Sequence, residues 1–178
     1  MLSRVQRDGI VRCLHGIDAH AQATTPWPGP VLFGWLRDAP VPGHPDPTAR
    51  SLTLVPLMVD PAHWQDHPDG PVAALRRITD EAHDPAQQAA SALSLATARP
   101  GQPRCLAYLF MYPAPAGGEA SSQVRSINAV DTDGTVYVLT RPRSGQAVVT
   151  IDEPGDEQVV QLLQRLITLT YPDGPDTH

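Results

Sequence analysis

Three arginines, Arg125, Arg141 and Arg143, have the spacing that best suits the binding of a negatively charged group. Counting across the Asp133-Gly134 dipeptide, which is typical of a tight hairpin turn, puts Arg125 nearly opposite Arg141 on a neighbouring strand. Like charges opposite each other on a sheet are unfavourable unless a negative group lies between them. Because a guanidinium holds a carboxylate or phosphate by two parallel hydrogen bonds, we expect these arginines to contact a small anionic ligand or an acidic protein partner.

Two alternatives to this prediction stay open. Acidic side chains of the chain itself, or plain solvent, would also satisfy these arginines, since exposed arginines contribute little by themselves. A register shift of one residue would move Arg125 to the opposite face of the sheet.

His63 and His67 form a second candidate site, because they stand four residues apart with Asp66 between them. On a helix the two imidazoles would share a face and could present two ligands to one zinc ion. No glutamate stands beside His63 to act as a general base, and Pro68 would end a helix here. The pair leaves open a metal-dependent hydrolase with zinc as its cofactor, or a polar loop anchored by Trp64. We expect no other cofactor.

Several classes of enzyme are excluded because the sequence contains no lysine, all 13 basic residues being arginine. Schiff-base enzymes, P-loop nucleotide hydrolases and standard protein kinases each need a lysine. The two cysteines, Cys13 and Cys105, form no CxxC pair, and no GxSxG or GxGxxG sequence is present. The sequence favours a non-enzymatic function, although a catalytic site assembled from distant residues would leave no such signature.

The net charge of −6 at pH 7 predicts which partners the chain avoids. A phosphate backbone would be repelled by this field, so we expect no nucleic-acid partner. The same charge suits a third hypothesis, an acidic antagonist of the immunity-protein kind that covers a basic target. No apolar run could span a bilayer, and two cysteines are too few for a disulfide scaffold. We therefore expect a cytoplasmic protein without a membrane partner, from a high-GC bacterium that uses arginine in place of lysine.

The elements that position these residues are organised around residues 124–151, which are predicted to form three antiparallel strands joined by two tight turns. Before them we expect a helix at 2–22, strands at 31–36 and 52–59, helices at 71–83 and 85–98, and a buried strand at 105–112. A last helix is expected at 156–169. In the first helix the apolar stripe predicts that Asp18 faces away from the core. Pro56 predicts an edge strand or a bulge.

This order, α-β-β-α-α-β-β-β-β-α, predicts a single α+β domain over residues 1–170 and a frayed tail over 171–178. Its sheet is expected to be largely antiparallel, with about five to six strands packed by the N-terminal, middle and C-terminal helices. In element order alone the chain resembles small sensor and scaffold domains of the profilin-like, PAS-like and longin or roadblock kinds. Such a resemblance concerns the fold and would not settle the function.

Overall fold

The computed structural model describes residues 1–45, 49–83, 104–115 and 123–171 of the chain. The helices in this part are α1 (Arg4–Thr24), α2 (Pro71–His83) and α3 (Glu157–Thr170). The strands are β1 (Leu32–Pro40), β2 (Arg50–Met58), β3 (Arg104–Pro115), β4 (Gln123–Asp131), β5 (Val136–Pro142) and β6 (Val148–Ile151). The predicted α+β class and element order are confirmed. The helix expected at 85–98 lies outside the described residues, as do residues 172–178 of the expected tail.

All six strands belong to one antiparallel sheet with the order β2-β1-β3-β4-β5-β6. The edge position that Pro56 predicts is confirmed, because β2 is an outer strand. The backbone N–H of Val59 donates to the carbonyl of Val31, so the odd-numbered residues of β2 point their backbone groups toward β1. The nitrogen of Pro56 therefore faces outward, where its missing hydrogen removes no bond from the ladder.

The sheet is covered on both faces, and successive residues of each strand point to opposite sides. Phe33 and Trp35 of β1 belong to the core under α2 and α3. Leu32 and Leu36 belong to the core under α1. β3 lies between β1 and β4 and is buried on both faces along most of its length. None of the helices within the described residues is long and apolar enough to cross a membrane.

Helix α1 has a charged residue, Asp18, on the side that faces the sheet. Its apolar stripe consists of Ile10, Leu14, Ile17 and Ala21, and Asp18 is buried beside them. The expectation that Asp18 faces away from the core is therefore wrong. Asp18 follows Leu14 by one helical turn and lies at the border of the stripe, where the side chain turns toward the sheet.

Candidate functional site

The register of the β4–β5 hairpin makes Arg125 and Arg141 direct cross-strand partners. Both side chains lie on the face of the sheet that α1 covers, the same face as Ile127 and Leu139. Arg143 follows the last residue of β5 and is exposed in the turn that leads to β6. The structure thus brings the three predicted arginines to one end of the hairpin.

The negative group between the two paired arginines is Asp18 of α1. Arg125 Nη1 donates to Asp18 Oδ1 over 2.9 Å. Arg141 Nε donates to Asp18 Oδ2 over 2.6 Å, and Arg141 Nη2 forms an ion pair with the same oxygen at 2.5 Å. We call Arg125, Asp18 and Arg141 the arginine–aspartate triad. Of the alternatives that the sequence leaves open, an acidic side chain of the chain itself is the one that occupies this position.

Arg125 is the enclosed member of the triad, with a side chain that is 1% exposed. Its Nε donates to the carbonyl of Pro28 over 2.7 Å, and its Nη1 also donates to the Asp18 carbonyl over 3.0 Å. The Trp27 ring lies over the guanidinium, with 5.2 Å between the ring centroid and Cζ, an arrangement that attracts the cation to the ring. A Cβ at Gly29 would lie 3.0 Å from Arg125 Nε. These contacts link the C-terminal half of α1 and residues 27–29 to the sheet.

The remaining nitrogen of this guanidinium, Nη2 of Arg125, is buried and has no hydrogen-bond partner among the described residues. Two guanidinium groups share one carboxylate, so the triad carries an excess of one positive charge. Arg143 adds a second positive charge nearby, within a chain whose net charge is −6. The hairpin end is therefore locally basic on an acidic protein.

Arg141 links the enclosed triad to the surface, since its side chain is 21% exposed. Its Nη1 donates to the carbonyl of Gly145 over 2.9 Å. This bond links the end of β5 to the turn that carries Arg143, whose side chain is exposed. We call Arg141 and Arg143 the arginine corner.

The histidine pair does not lie on one α-helix, the arrangement that the zinc hypothesis requires. The segment forms a single 3-10 turn over Pro61–His63, and His67 belongs to the turn that follows. His67 Nδ1 accepts the backbone N–H of Asp69 over 3.1 Å, so one of its ring nitrogens is already used. Nowhere in the described ranges do three His, Cys, Asp or Glu side chains form a group able to hold a metal ion. Zinc at His63 and His67 stays a prediction, and Trp64 packs against the core as the loop hypothesis expects.

The two thiols are not activated. Burial raises the pKa of Cys105 to about 12, and the hydrogen bond of its thiol to the Ala107 carbonyl is long, at 3.7 Å. Burial also raises the pKa of Cys13, which is half-buried on α1, against the smaller opposing effect of Arg12. A thiol needs a lowered pKa to serve as a nucleophile at neutral pH, so neither cysteine suits that role.

Sequence reasoning missed Asp18 and the loop residues Trp27 and Gly29. The available signal for Asp18 was the predicted Arg125–Arg141 pair, which required a negative partner, together with the position of Asp18 beside an apolar stripe. No family model, no curated protein and no solved structure matches this chain.

Proposed function

We propose that this chain is a non-enzymatic binding domain whose arginine corner contacts an acidic surface of a partner protein. The observation that carries the proposal is the double engagement of Arg141. The Nε and Nη2 atoms of Arg141 contact Asp18 Oδ2, and its Nη1 atom donates to the Gly145 carbonyl. Ordering a long side chain on binding costs about 0.5–1.5 kcal/mol. Arg141 has this ordering in place before a partner arrives.

A protein partner fits the corner better than a small ligand because of which guanidinium groups are accessible. Arg125 is sealed beneath Trp27 and residues of α1, so a small anion has no direct path to it. Arg141 is partly exposed and Arg143 is exposed on a turn. Carboxylates projecting from a protein surface reach such groups without a cavity, and arginine is enriched at the centres of protein interfaces.

Site-specific photo-crosslinking tests this proposal without removing the arginines themselves. A photoreactive amino acid replaces Ser144, which is exposed beside Arg143, and in a second protein it replaces Gln65, which is exposed in the His63–His67 turn. We expect a partner that is captured from position 144 and not from position 65. Arg143→Glu should then weaken binding of the identified partner by about tenfold at low salt, and less at high salt, since rim charges act through a screened field.

Two results would overturn the proposal: capture of the same proteins from both positions, or unchanged affinity of the identified partner for the Arg143→Glu protein. Exchange of the exposed Arg12 on α1 for glutamate is the matched control, because it makes the same charge change away from the corner. Capture of a strongly basic partner would instead favour the acidic-antagonist hypothesis.

A further inference from the structure

Strand β6 leaves one row of backbone groups unpaired at the edge of the sheet. The N–H of Asp152 donates to the carbonyl of Val136 over 2.9 Å, so the even-numbered residues of β6 direct their backbone groups to β5. Consequently, the backbone N–H and carbonyl groups of both Val149 and Ile151 point away from the sheet. Within the described ranges, no strand pairs with this edge.

The edge of β6 is short, but its side chains lack the features that usually prevent strand pairing. Natural edge strands are protected by short length, charged side chains, prolines or bulges, and β2 has Pro56 at an outward position. The sequence of β6, VVTI, has neither a charge nor a proline. Val148 is 60% exposed and Ile151 is 48% exposed, so the strand presents apolar side chains on both faces.

The charges at the two ends of β6 are opposite in sign. Arg143 precedes the strand, whereas Asp152 and Glu153 follow it, and all three are exposed. A second β6 running antiparallel would bring the basic end of each strand beside the acidic end of the other, twice by symmetry. A parallel arrangement would bring like charges together. The charges along the β6 edge of one copy are therefore complementary to those along the β6 edge of a second, antiparallel copy.

We propose that the partner is a second copy of this chain and that the two β6 edges pair antiparallel about a two-fold axis. This inference rests on the proposed function, since the acidic surface that meets Arg143 is then the Asp152–Glu153 end of the other copy. The two six-stranded sheets become one continuous sheet. With only four residues in each β6, the dimer is weak and depends on concentration.

One register satisfies every outward backbone group of β6. It places Val149 of each copy opposite Ile151 of the other, which makes two closed pairs of backbone hydrogen bonds. The apolar side chains of Val149 and Ile151 then meet across the interface. Thr150 lies on the two-fold axis opposite its own counterpart, in a pair without backbone hydrogen bonds, where the Cα atoms are about 4.5 Å apart.

A disulfide test follows from this register. Thr150→Cys in a Cys13→Ser background puts two thiols within disulfide reach across the axis. The matched control is Val148→Cys in the same background. Val148 is at least as exposed as Thr150. In this register, however, the two Val148 residues of the dimer are offset by four residues along the strands, which separates them by about 13 Å. Mild oxidation should give at least about ten times more covalent dimer for Thr150→Cys than for Val148→Cys.

Sedimentation of proteins without added thiols tests the interface independently. Ile151→Lys should raise the dissociation constant of the dimer at least about tenfold, since a charge at an exposed edge opposes strand pairing. Val5→Lys makes the same change at a 73% exposed apolar residue on α1 and should leave self-association unchanged. Arg143→Glu should weaken the dimer, and Arg143→Glu combined with Glu153→Arg should restore it.

Equal crosslinking of the two cysteine variants, or a wild-type protein that stays monomeric at all concentrations, would overturn the homodimer. If position 144 then captures a different protein, the proposed function survives and only the identity of the partner is wrong. If Thr150→Cys crosslinks while Arg143→Glu changes neither self-association nor capture, the β6 pairing stands and the arginine corner is not its contact.

Discussion

Asp18 Oδ1 lies 2.9 Å from Arg125 Nη1, and both side chains are 1% exposed. The two residues come from α1 and β4, so this buried ion pair joins the first helix to the sheet. Removing one member leaves the other as an uncompensated buried charge, which costs about 3–5 kcal/mol. We predict that Asp18→Ala lowers the free energy of unfolding, measured with urea, by about this amount.

The control for this prediction is Asp8→Ala, because Asp8 also belongs to α1 and pairs with an arginine. Asp8 and Arg4 are 64% and 95% exposed and their nearest charged atoms are 3.9 Å apart, so its loss should change stability by less than about 0.5 kcal/mol. Similar stabilities for the Asp18→Ala and wild-type proteins would show that the triad does not hold α1 in place.

We predict that only glycine fits at position 29, because of its backbone conformation and because of the nearby Arg125 side chain. Its φ is +102° and an added Cβ would lie 3.0 Å from Arg125 Nε. Gly29→Ala should therefore reduce the free energy of unfolding by more than about 1 kcal/mol. Gly43→Ala is the control, since Gly43 also has a positive φ, +73°, but an added Cβ meets nothing within 4 Å. Equal losses in the two variants would mean that the contact with Arg125 adds no cost.

Local signals explain why the hairpin could be predicted from sequence. Gly134 has a φ of +85°, and Asp131 Oδ1 accepts the backbone N–H groups of Asp133 and Thr135. The turn is thus encoded within five consecutive residues. Because turn length sets strand register, the pairing of Arg125 with Arg141 followed from the same signal.

The carboxylate between these arginines could not be predicted in the same way. Asp18 is 107 residues away from Arg125 along the chain, and a charged residue beside an apolar stripe is ordinarily assigned to solvent. Only the packing of α1 across β4 and β5 shows which way it turns. The unpaired edge of β6 likewise depends on the order of strands in the sheet, which local patterns do not specify.

Asp133 is predicted to contribute to the pH dependence of stability. Burial of this carboxylate favours its neutral form, but hydrogen bonds from the Leu2 backbone N–H and from Arg7, together with the positive charge of the N-terminus, outweigh that effect and hold the pKa below its usual value of 3.8. A lowered pKa in the folded state stabilises the protein above the unfolded pKa, and this contribution is lost as the pH falls through the folded pKa. Asp133→Asn should therefore lose less stability than the wild type when the pH is lowered below about 4.

Urea unfolding at a series of pH values measures this difference. Asp8→Asn removes an exposed carboxylate from α1 and should keep the pH dependence of the wild type. A parallel loss of stability in the wild-type and Asp133→Asn proteins would show that the bonds from Leu2 and Arg7 do not favour the ionised carboxylate.

Cys105 is predicted to be inert toward alkylation until the sheet opens. With its pKa raised to about 12 by burial, roughly one thiol in 10,000 is ionised at pH 8, and only the thiolate reacts. A pulse of iodoacetamide on the native protein, followed by mass spectrometry of the peptides, should modify the half-buried Cys13 first. In denaturant both cysteines should react at similar rates. If Cys105 reacted as fast as Cys13 in the native protein, β3 would open far more often than its central place in the sheet implies, and the Cys13→Ser background would not isolate the β6 crosslink.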